Sequence, residues 1–227
     1  MIEKLILFDI DGTLLHSRGV GREAKRLAMV DVFGTIGDVD EIRFGGKTDW
    51  GILYEALKNH GYSREAIGQQ METYSHAIAK HMDRLIGQFP VHALPAALEL
   101  VADLRQREHY MLGIITGNVY TTAPIKLRAG GFDPEWFQVG AYGNESADRN
   151  DLSRFAWERA NQHRGEPLAV ENIYVIGDTA VDVLCAKAIG AHSIAVRTGF
   201  AEIGELEACE PTHLYDDLQQ FMAQKII

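Results

Sequence analysis

Short apolar runs alternate with helical patterns along most of the chain. Apolar residues at three- and four-residue steps predict helices over 96–107, 121–130, 152–162 and 181–189. Largely apolar runs, typical of strands that are buried on both faces, lie at 5–8, 110–116, 137–140, 172–177 and 192–196. Strands and helices that alternate in this way predict a parallel, doubly wound α/β sheet.

The segment from residue 17 to residue 90 breaks this alternation. It contains no strand-like run, and the apolar residues from Ile67 to Met82 follow one another at the steps of an amphipathic helix. We therefore predict an all-helical insert over 17–90 and an α/β core formed by 1–16 together with 91–227. The two junctions of the insert are the expected hinges.

Two aspartates follow the first strand. Asp9 and Asp11 are two residues apart, so their side chains point the same way at the carboxyl edge of the sheet, where open α/β sheets bind ligands. Gly12 lets the chain turn away at once. Two carboxylates in one pocket repel each other unless a divalent cation or a shared proton relieves the charge, and Mg²⁺ is the expected cation. Taken alone, the pair is equally compatible with a turn and a helix cap.

Two later strands also end in polar residues. Thr116, Gly117 and Asn118 offer a hydroxyl and free backbone N–H groups at the start of a helix, a combination that suits a phosphate group. Asp178 follows the strand at 172–177, and Asp182 comes one turn into the next helix. Ordinary helix capping and compensation of the helix dipole also account for these residues.

The string from Phe8 to Leu15, FDIDGTLL, resembles the first motif of the haloacid dehalogenase superfamily. The resemblance implies that Asp9 is a nucleophile and that Asp11 is a general acid and base. Thr116 matches the second motif, which binds the transferring phosphoryl group together with Gly117 and Asn118. The helical insert is similar to the C1-type helical cap of the phosphoglycolate phosphatase-like members, and the core to their Rossmann-like domain.

The stretch GDTAVD resembles the fourth motif of the same superfamily. The resemblance implies a Mg²⁺ site formed by Asp9, Asp11 and Asp178, with Asp182 supporting the metal or a nearby cation. The third motif departs from the family, because its usual Lys is absent from 143–152 and Arg149 is the cation found there.

The cation of the third motif therefore has two candidates. We favour Arg149, whose guanidinium can clamp a carboxylate or a phosphate with two hydrogen bonds. Lys126 is the competitor, although it lies well upstream of the expected place. A solvent-exposed Arg149 beside Asp148 and Asp151 is the alternative without a function.

A turn at Gly45 and Gly46 precedes a helix of the insert, with Thr48 or Asp49 as its cap. Capped relatives often carry a similar segment facing the active site. Lys47 is therefore expected either to contact the substrate or to lie on the surface.

Charge and cysteine content limit the possible partners and location. The chain of 227 residues has 22 Lys and Arg against 32 Asp and Glu, a net charge of −10 that argues against nucleic-acid binding. Its two cysteines lack the spacing of a metal site, and neither a signal peptide nor a membrane span is recognisable. We expect a cytoplasmic protein that acts on a small phosphorylated metabolite, without a nucleic acid or membrane partner.

The motifs together predict a Mg²⁺-dependent phosphatase that hydrolyses small phosphomonoesters through an aspartyl-phosphate. A phosphosugar mutase of the β-phosphoglucomutase type has the same layout and differs in passing the phosphoryl group to a sugar hydroxyl. A non-catalytic switch module, in which phosphorylated Asp9 is read by a partner, is the alternative from a different class.

Overall fold

Six parallel strands form the sheet at the centre of the molecule. The computed structural model describes residues 2–227, and residue 1, the first residue of the expected core, lies outside them. The strands lie side by side in the order β5-β4-β1-β6-β7-β8. Their bounds are β1 Lys4–Phe8, β4 Tyr110–Thr116, β5 Val139–Tyr142, β6 Ile173–Gly177, β7 His192–Val196 and β8 His213–Tyr215.

Helices cover both faces of this sheet. They are α4 Ala97–Arg105, α5 Ala123–Ala129, α6 Asn150–Arg164, α7 Ala180–Ile189, α8 Glu205–Ala208 and α9 Leu218–Gln224. Leu5 and Leu7 pack with residues of α6 and α7, whereas Ile6 and Phe8 pack with residues of α4, α5 and α9. Successive side chains of β1 therefore enter opposite layers, which explains why its sequence is continuously apolar.

Three helices form the inserted cap, α1 Val20–Phe33, α2 Asp49–Leu57 and α3 Arg64–Leu85. They share a hydrophobic cluster of their own, which includes Met29, Leu53 and Tyr74. The predicted α/β fold with an all-helical insert is confirmed. None of the helices within residues 2–227 combines the length and the apolarity that crossing a bilayer requires.

A short ribbon marks the junctions of the insert. Strand β2, Leu15–His16, pairs antiparallel with β3, His92–Ala93, so the two chain crossings lie side by side. We propose that the core and the cap divide here, at the boundaries expected from the sequence, with the ribbon as the hinge.

Two parts of the core differ from the sequence-based prediction. Strand β5 begins two residues later than expected, because Pro134–Trp136 forms a 3-10 helix that ends at Phe137. Strand β8 and helices α8 and α9 were not predicted. β8 is a three-residue edge strand with two half-buried positions, so it carries no apolar run by which to recognise it.

Candidate active site

The carboxyl ends of three adjacent strands meet at one cavity. Because β1 lies between β4 and β6, Asp9 is flanked by Thr116 on one side and by Asp178 on the other. The cavity has a volume of about 720 Å³ and is lined by residues of both the core and the cap. Predicted site residues that line it are Asp9, Asp11, Lys47, Thr116, Gly117, Asn118 and Arg149.

Three buried carboxylates converge at this site, and of the three Asp9 lines the cavity whereas Asp178 and Asp182 do not. Oxygen atoms of Asp9, Asp178 and Asp182 lie within 4.8 Å of one another. Asp178 accepts hydrogen bonds from the Thr13 hydroxyl at 2.9 Å and from the Phe200 backbone N–H at 2.8 Å. Burial raises the pKa of Asp178 well above its usual range, and the nearby charge of Asp9 raises it further.

Arg149 is buried against this group rather than exposed. It precedes α6, and its Nη2 donates to Asp9 at 2.8 Å and to Asp182 at 2.6 Å. The second oxygen of Asp182 accepts from the backbone N–H and the hydroxyl of Thr179, in the capping box of α7. Asp182 thus helps to hold Arg149 against Asp9. Burial raises the pKa of Asp9 to about 7 despite the opposing charge of Arg149.

The donor set of this group fits a divalent metal ion. It consists of carboxylate oxygens, which Mg²⁺ and Ca²⁺ prefer, and contains no thiolate or imidazole. Three buried carboxylates face one guanidinium, so two negative charges stay uncompensated when all three are ionised. A dication at this position would remove the repulsion that raises the pKa of Asp9 and Asp178.

The carboxylate of Asp11 is directed elsewhere. One oxygen accepts from Lys126 Nζ at 2.6 Å and from Asn118 Nδ2 at 2.8 Å, and the other accepts from the Ser17 hydroxyl at 2.6 Å. Burial alone would raise the pKa of Asp11, but the ammonium of Lys126 and these hydrogen bonds outweigh burial and lower it. The side chain of Asp11 does not join the three-carboxylate group.

Lys126, the competitor of Arg149 in the sequence-based prediction, also lines the cavity. Its ammonium is buried and also donates to Asn118 Oδ1 at 2.8 Å. Lys126 shares the buried face of α5 with Ala123 and Leu127. A lysine among the apolar positions of a helix is the signal that could have identified it, because a buried ammonium requires partners.

The second motif packs directly against the cap. Thr116 is fully buried, and its hydroxyl accepts from Asn118 Nδ2 at 2.8 Å. The carbonyl of Gly117 accepts from the backbone N–H of Asp49 at 2.7 Å. A Cβ on Gly117 would lie 2.0 Å from the carbonyl oxygen of Lys47, so glycine permits this approach of the cap.

Lys47 and its neighbours hold the start of α2 over the site. Lys47 is half-buried, lines the cavity and pairs with Glu55. Thr48 caps α2, since its hydroxyl accepts from the Gly51 N–H at 3.0 Å. Asp49 pairs with buried Lys25 and accepts from the core N–H of Val119 at 3.1 Å, a link that the sequence analysis did not foresee.

Comparisons with known proteins agree with this architecture. A family model described as HAD-hydrolase-like matches residues 150–221. A 5'-nucleotidase of Pseudomonas aeruginosa is 29% identical over 217 residues, which cover 94% of this chain and 91% of that protein.

Solved structures match along almost the whole chain. A hydrolase from Pseudomonas syringae is 26% identical with a TM-score of 0.68, over 98% of this chain and 97% of that one. CbbY from Rhodobacter sphaeroides in complex with phosphate is 20% identical with a TM-score of 0.69, over 97% and 96%. At 20% identity, the likeness to CbbY shows the fold alone.

A parallel α/β core with a helical cap and a cavity between the two is the class that this fold and site define. The chain is similar to haloacid dehalogenase-like hydrolases, in sequence over residues 150–221 and in fold over almost its whole length.

Proposed function

We propose that this protein is a Mg²⁺-dependent phosphatase that hydrolyses small phosphomonoesters through an aspartyl-phosphate on Asp9. The observation that carries the proposal is the position of Asp9, at the cavity floor between Thr116 and Asp178 and in contact with Arg149. A cavity of about 720 Å³ between the core and the cap suits a small metabolite.

In the first step, an oxygen of Asp9 attacks phosphorus and the bond from phosphorus to the alcohol oxygen breaks. Arg149, the hydroxyl of Thr116 and the backbone N–H groups that follow it offset the charge on the phosphoryl oxygens. The departing alkoxide takes a proton from the pair formed by Asp11 and Lys126. The sequence predicted that Asp11 alone gives this proton; its hydrogen bond from the Lys126 ammonium at 2.6 Å supports a role for both residues.

In the second step, water attacks the phosphorus of the aspartyl-phosphate and gives its proton to Asp11. Phosphate then leaves and the carboxylate of Asp9 is restored. The cap limits the access of other water to the site, because its segment from Lys47 to Asp49 lies directly on Gly117.

Asp9 and Asp178 would hold the Mg²⁺ ion, with Asp182 close to them. When bound, the ion supplies positive charge that lets a dianionic phosphate approach an ionised Asp9. Hydrogen bonds from the Thr13 hydroxyl and the Phe200 backbone N–H orient Asp178.

Phosphate release from a panel of phosphorylated metabolites, with Mg²⁺ and with EDTA, tests the proposal. We expect Asp9→Asn to lose steady-state turnover while keeping the fold, because the amide is a poor nucleophile. Asp83→Asn is the matched control, since Asp83 is exposed on α3. Turnover near the wild-type rate in Asp9→Asn would refute the mechanism, and a stable stoichiometric acyl-phosphate without turnover would favour a switch module.

A further inference from the structure

Six cationic side chains line the cavity, and five of them are neutralised by carboxylates. Within residues 2–227, Arg22 is the one that forms no ion pair with a carboxylate. The paired cations and their partners are Lys25 with Asp49, Arg43 with Glu202, Lys47 with Glu55, Lys126 with Asp11, and Arg149 with Asp9 and Asp182.

The guanidinium of Arg22 is held in place without being neutralised. Its two terminal nitrogens donate to the carbonyls of Val39 at 3.0 Å and Ile42 at 2.9 Å. Its carbon lies 3.9 Å from the ring centre of Phe44, which covers one face of the plane. A guanidinium has five N–H donors, so the two backbone contacts leave others for a ligand. Neutral carbonyls and an aromatic ring do not neutralise the group, and Asp40, the carboxylate whose pKa the charge of Arg22 helps to lower, forms its ion pair with Arg26.

Arg22 also lies on the side of the cavity where the leaving group must extend. It belongs to the first turn of α1, and a Cβ on neighbouring Gly21 would lie 3.3 Å from Lys126 Nζ. Lys126 in turn contacts Asp11, which we assign to the leaving oxygen. Gly19 and Gly21 line the same wall and carry no side chains that would fill it. Glu205, a lining carboxylate that forms no ion pair within residues 2–227, belongs to the core side of the cavity and accepts from the backbone N–H of Glu202 at 2.8 Å.

We propose that Arg22 binds a second anionic group, a carboxylate or a phosphate, on the alcohol part of the substrate. This inference rests on the proposed phosphatase function and adds a substrate class to it. A planar guanidinium fixed by backbone contacts loses little freedom on binding and can meet such a group with two hydrogen bonds. The preferred substrates are then phosphomonoesters with charge at both ends rather than esters of neutral alcohols.

Three matched substrates test this proposal: an O-phosphorylated hydroxyalkanoic acid, its primary amide, and the corresponding alkanediol bisphosphate. The amide keeps the size of the acid and removes the charge. We expect the wild-type enzyme to prefer at least one anionic substrate over the amide by about 10- to 100-fold in kcat/KM, the scale of a charge-assisted hydrogen bond. Preference for the acid or for the bisphosphate identifies which anion the site takes.

In Arg22→Gln, kcat/KM for the anionic substrate should fall to the value for the amide within the error of the assay. Arg22→Lys should retain part of the preference. Arg26→Gln is the control, because Arg26 is one turn further along α1, pairs with Asp40 and does not line the cavity. Binding of the same substrates to the inactive Asp9→Asn protein, measured by calorimetry, gives a second reading of the preference that does not depend on turnover.

Two results would overturn the proposal. One is a wild-type enzyme that treats both anions and the amide alike. The other is an equal loss of activity on all three substrates in Arg22→Gln, or in Arg22→Lys if Arg22→Gln does not fold. An equal loss is the result expected if Arg22 only anchors Val39 and Ile42. Absence of hydrolysis of all three, and of the metabolite panel, would instead refute the proposed phosphatase function itself.

Discussion

The thermal stability of the protein should depend on Mg²⁺ and pH together, because a metal ion and protons compete for the same buried carboxylates. The perturbation is addition of Mg²⁺ or EDTA at a series of pH values. In the folded protein burial raises the pKa of Asp9 from 3.8 to about 7. Asp9 therefore keeps its proton in the folded state at pH values where it has lost it in the unfolded state.

The sign of the pH effect follows from this difference. A raised pKa adds stability that is fully present below the unfolded pKa and is lost as the pH rises to the folded pKa. For Asp9 the loss extends from about pH 4 to about pH 7 and amounts to about 4 kcal/mol at most. Without metal, the contribution of this site to stability should thus fall toward neutral pH. Asp178 adds to the effect in the same direction.

Metal binding should restore the stability that the site loses toward neutral pH, and the size of this stabilisation can be estimated. At about pH 8, Mg²⁺ at ~100 times its dissociation constant for the ionised site would stabilise the protein by ~2.7 kcal/mol. At about pH 5 only ~1% of Asp9 is ionised, so the same concentration would stabilise by ~0.4 kcal/mol. For a chain of this size these values correspond to a rise in Tm of about 5–11 °C and about 1–2 °C.

Melting curves followed by circular dichroism, with Mg²⁺ and with EDTA at each pH, measure this difference directly. The comparison at one pH cancels the contribution of other titrating groups. Asp178→Asn should lose most of the rise in Tm at the higher pH, whereas Asp83→Asn should keep it, because Asp83 is an exposed residue of α3. A rise that is equal at both pH values, or that survives in Asp178→Asn, would refute the assignment of the metal to this group.

Three further changes test the charged partners and the docking of the cap. Arg149→Ala should lower kcat/KM by the equivalent of about 2–4 kcal/mol of transition-state stabilisation. Arg149→Lys should recover part of this loss, because a single nitrogen of Arg149 makes both carboxylate contacts. An equal loss in both variants would contradict this. Lys126→Met should slow the hydrolysis of esters with poor leaving groups by ~10²-fold or more, and that of aryl phosphates less. The control Arg128→Met, at an exposed residue, should slow neither. A uniform loss in Lys126→Met would exclude a role of Lys126 in protonation. Gly117→Ala should raise KM in steady-state assays, because its Cβ would lie 2.0 Å from the Lys47 carbonyl, and an unchanged KM would show that the cap need not close.

The convergence of Asp9, Thr116 and Asp178 could be predicted from the sequence. Each residue follows an apolar run, and runs that alternate with helices form parallel strands whose carboxyl ends share one edge. The burial of Lys126 beside Asp11 could not be predicted with the same rules. The two residues are 115 positions apart, and their contact depends on how α5 packs against the sheet.

The sequence by itself determined the local features of this protein. The two-sided burial of β1 is written in its continuous apolar run, and the turn after it in Gly12, whose φ of +92° disfavours other residues. Motif residues at strand ends are local in the same sense, because backbone direction alone places them at the ligand-binding edge.

Only the tertiary structure decided which charges became partners. Arg149 bridges Asp9 and Asp182, and Lys126 pairs with Asp11, whereas Arg22 contacts a backbone carbonyl instead of a carboxylate. Nothing in the sequence around these three cations distinguishes the two outcomes. Ion pairing depends on distances of a few ångströms between segments far apart in the chain, and these distances are set by helix packing and by the docking of the cap.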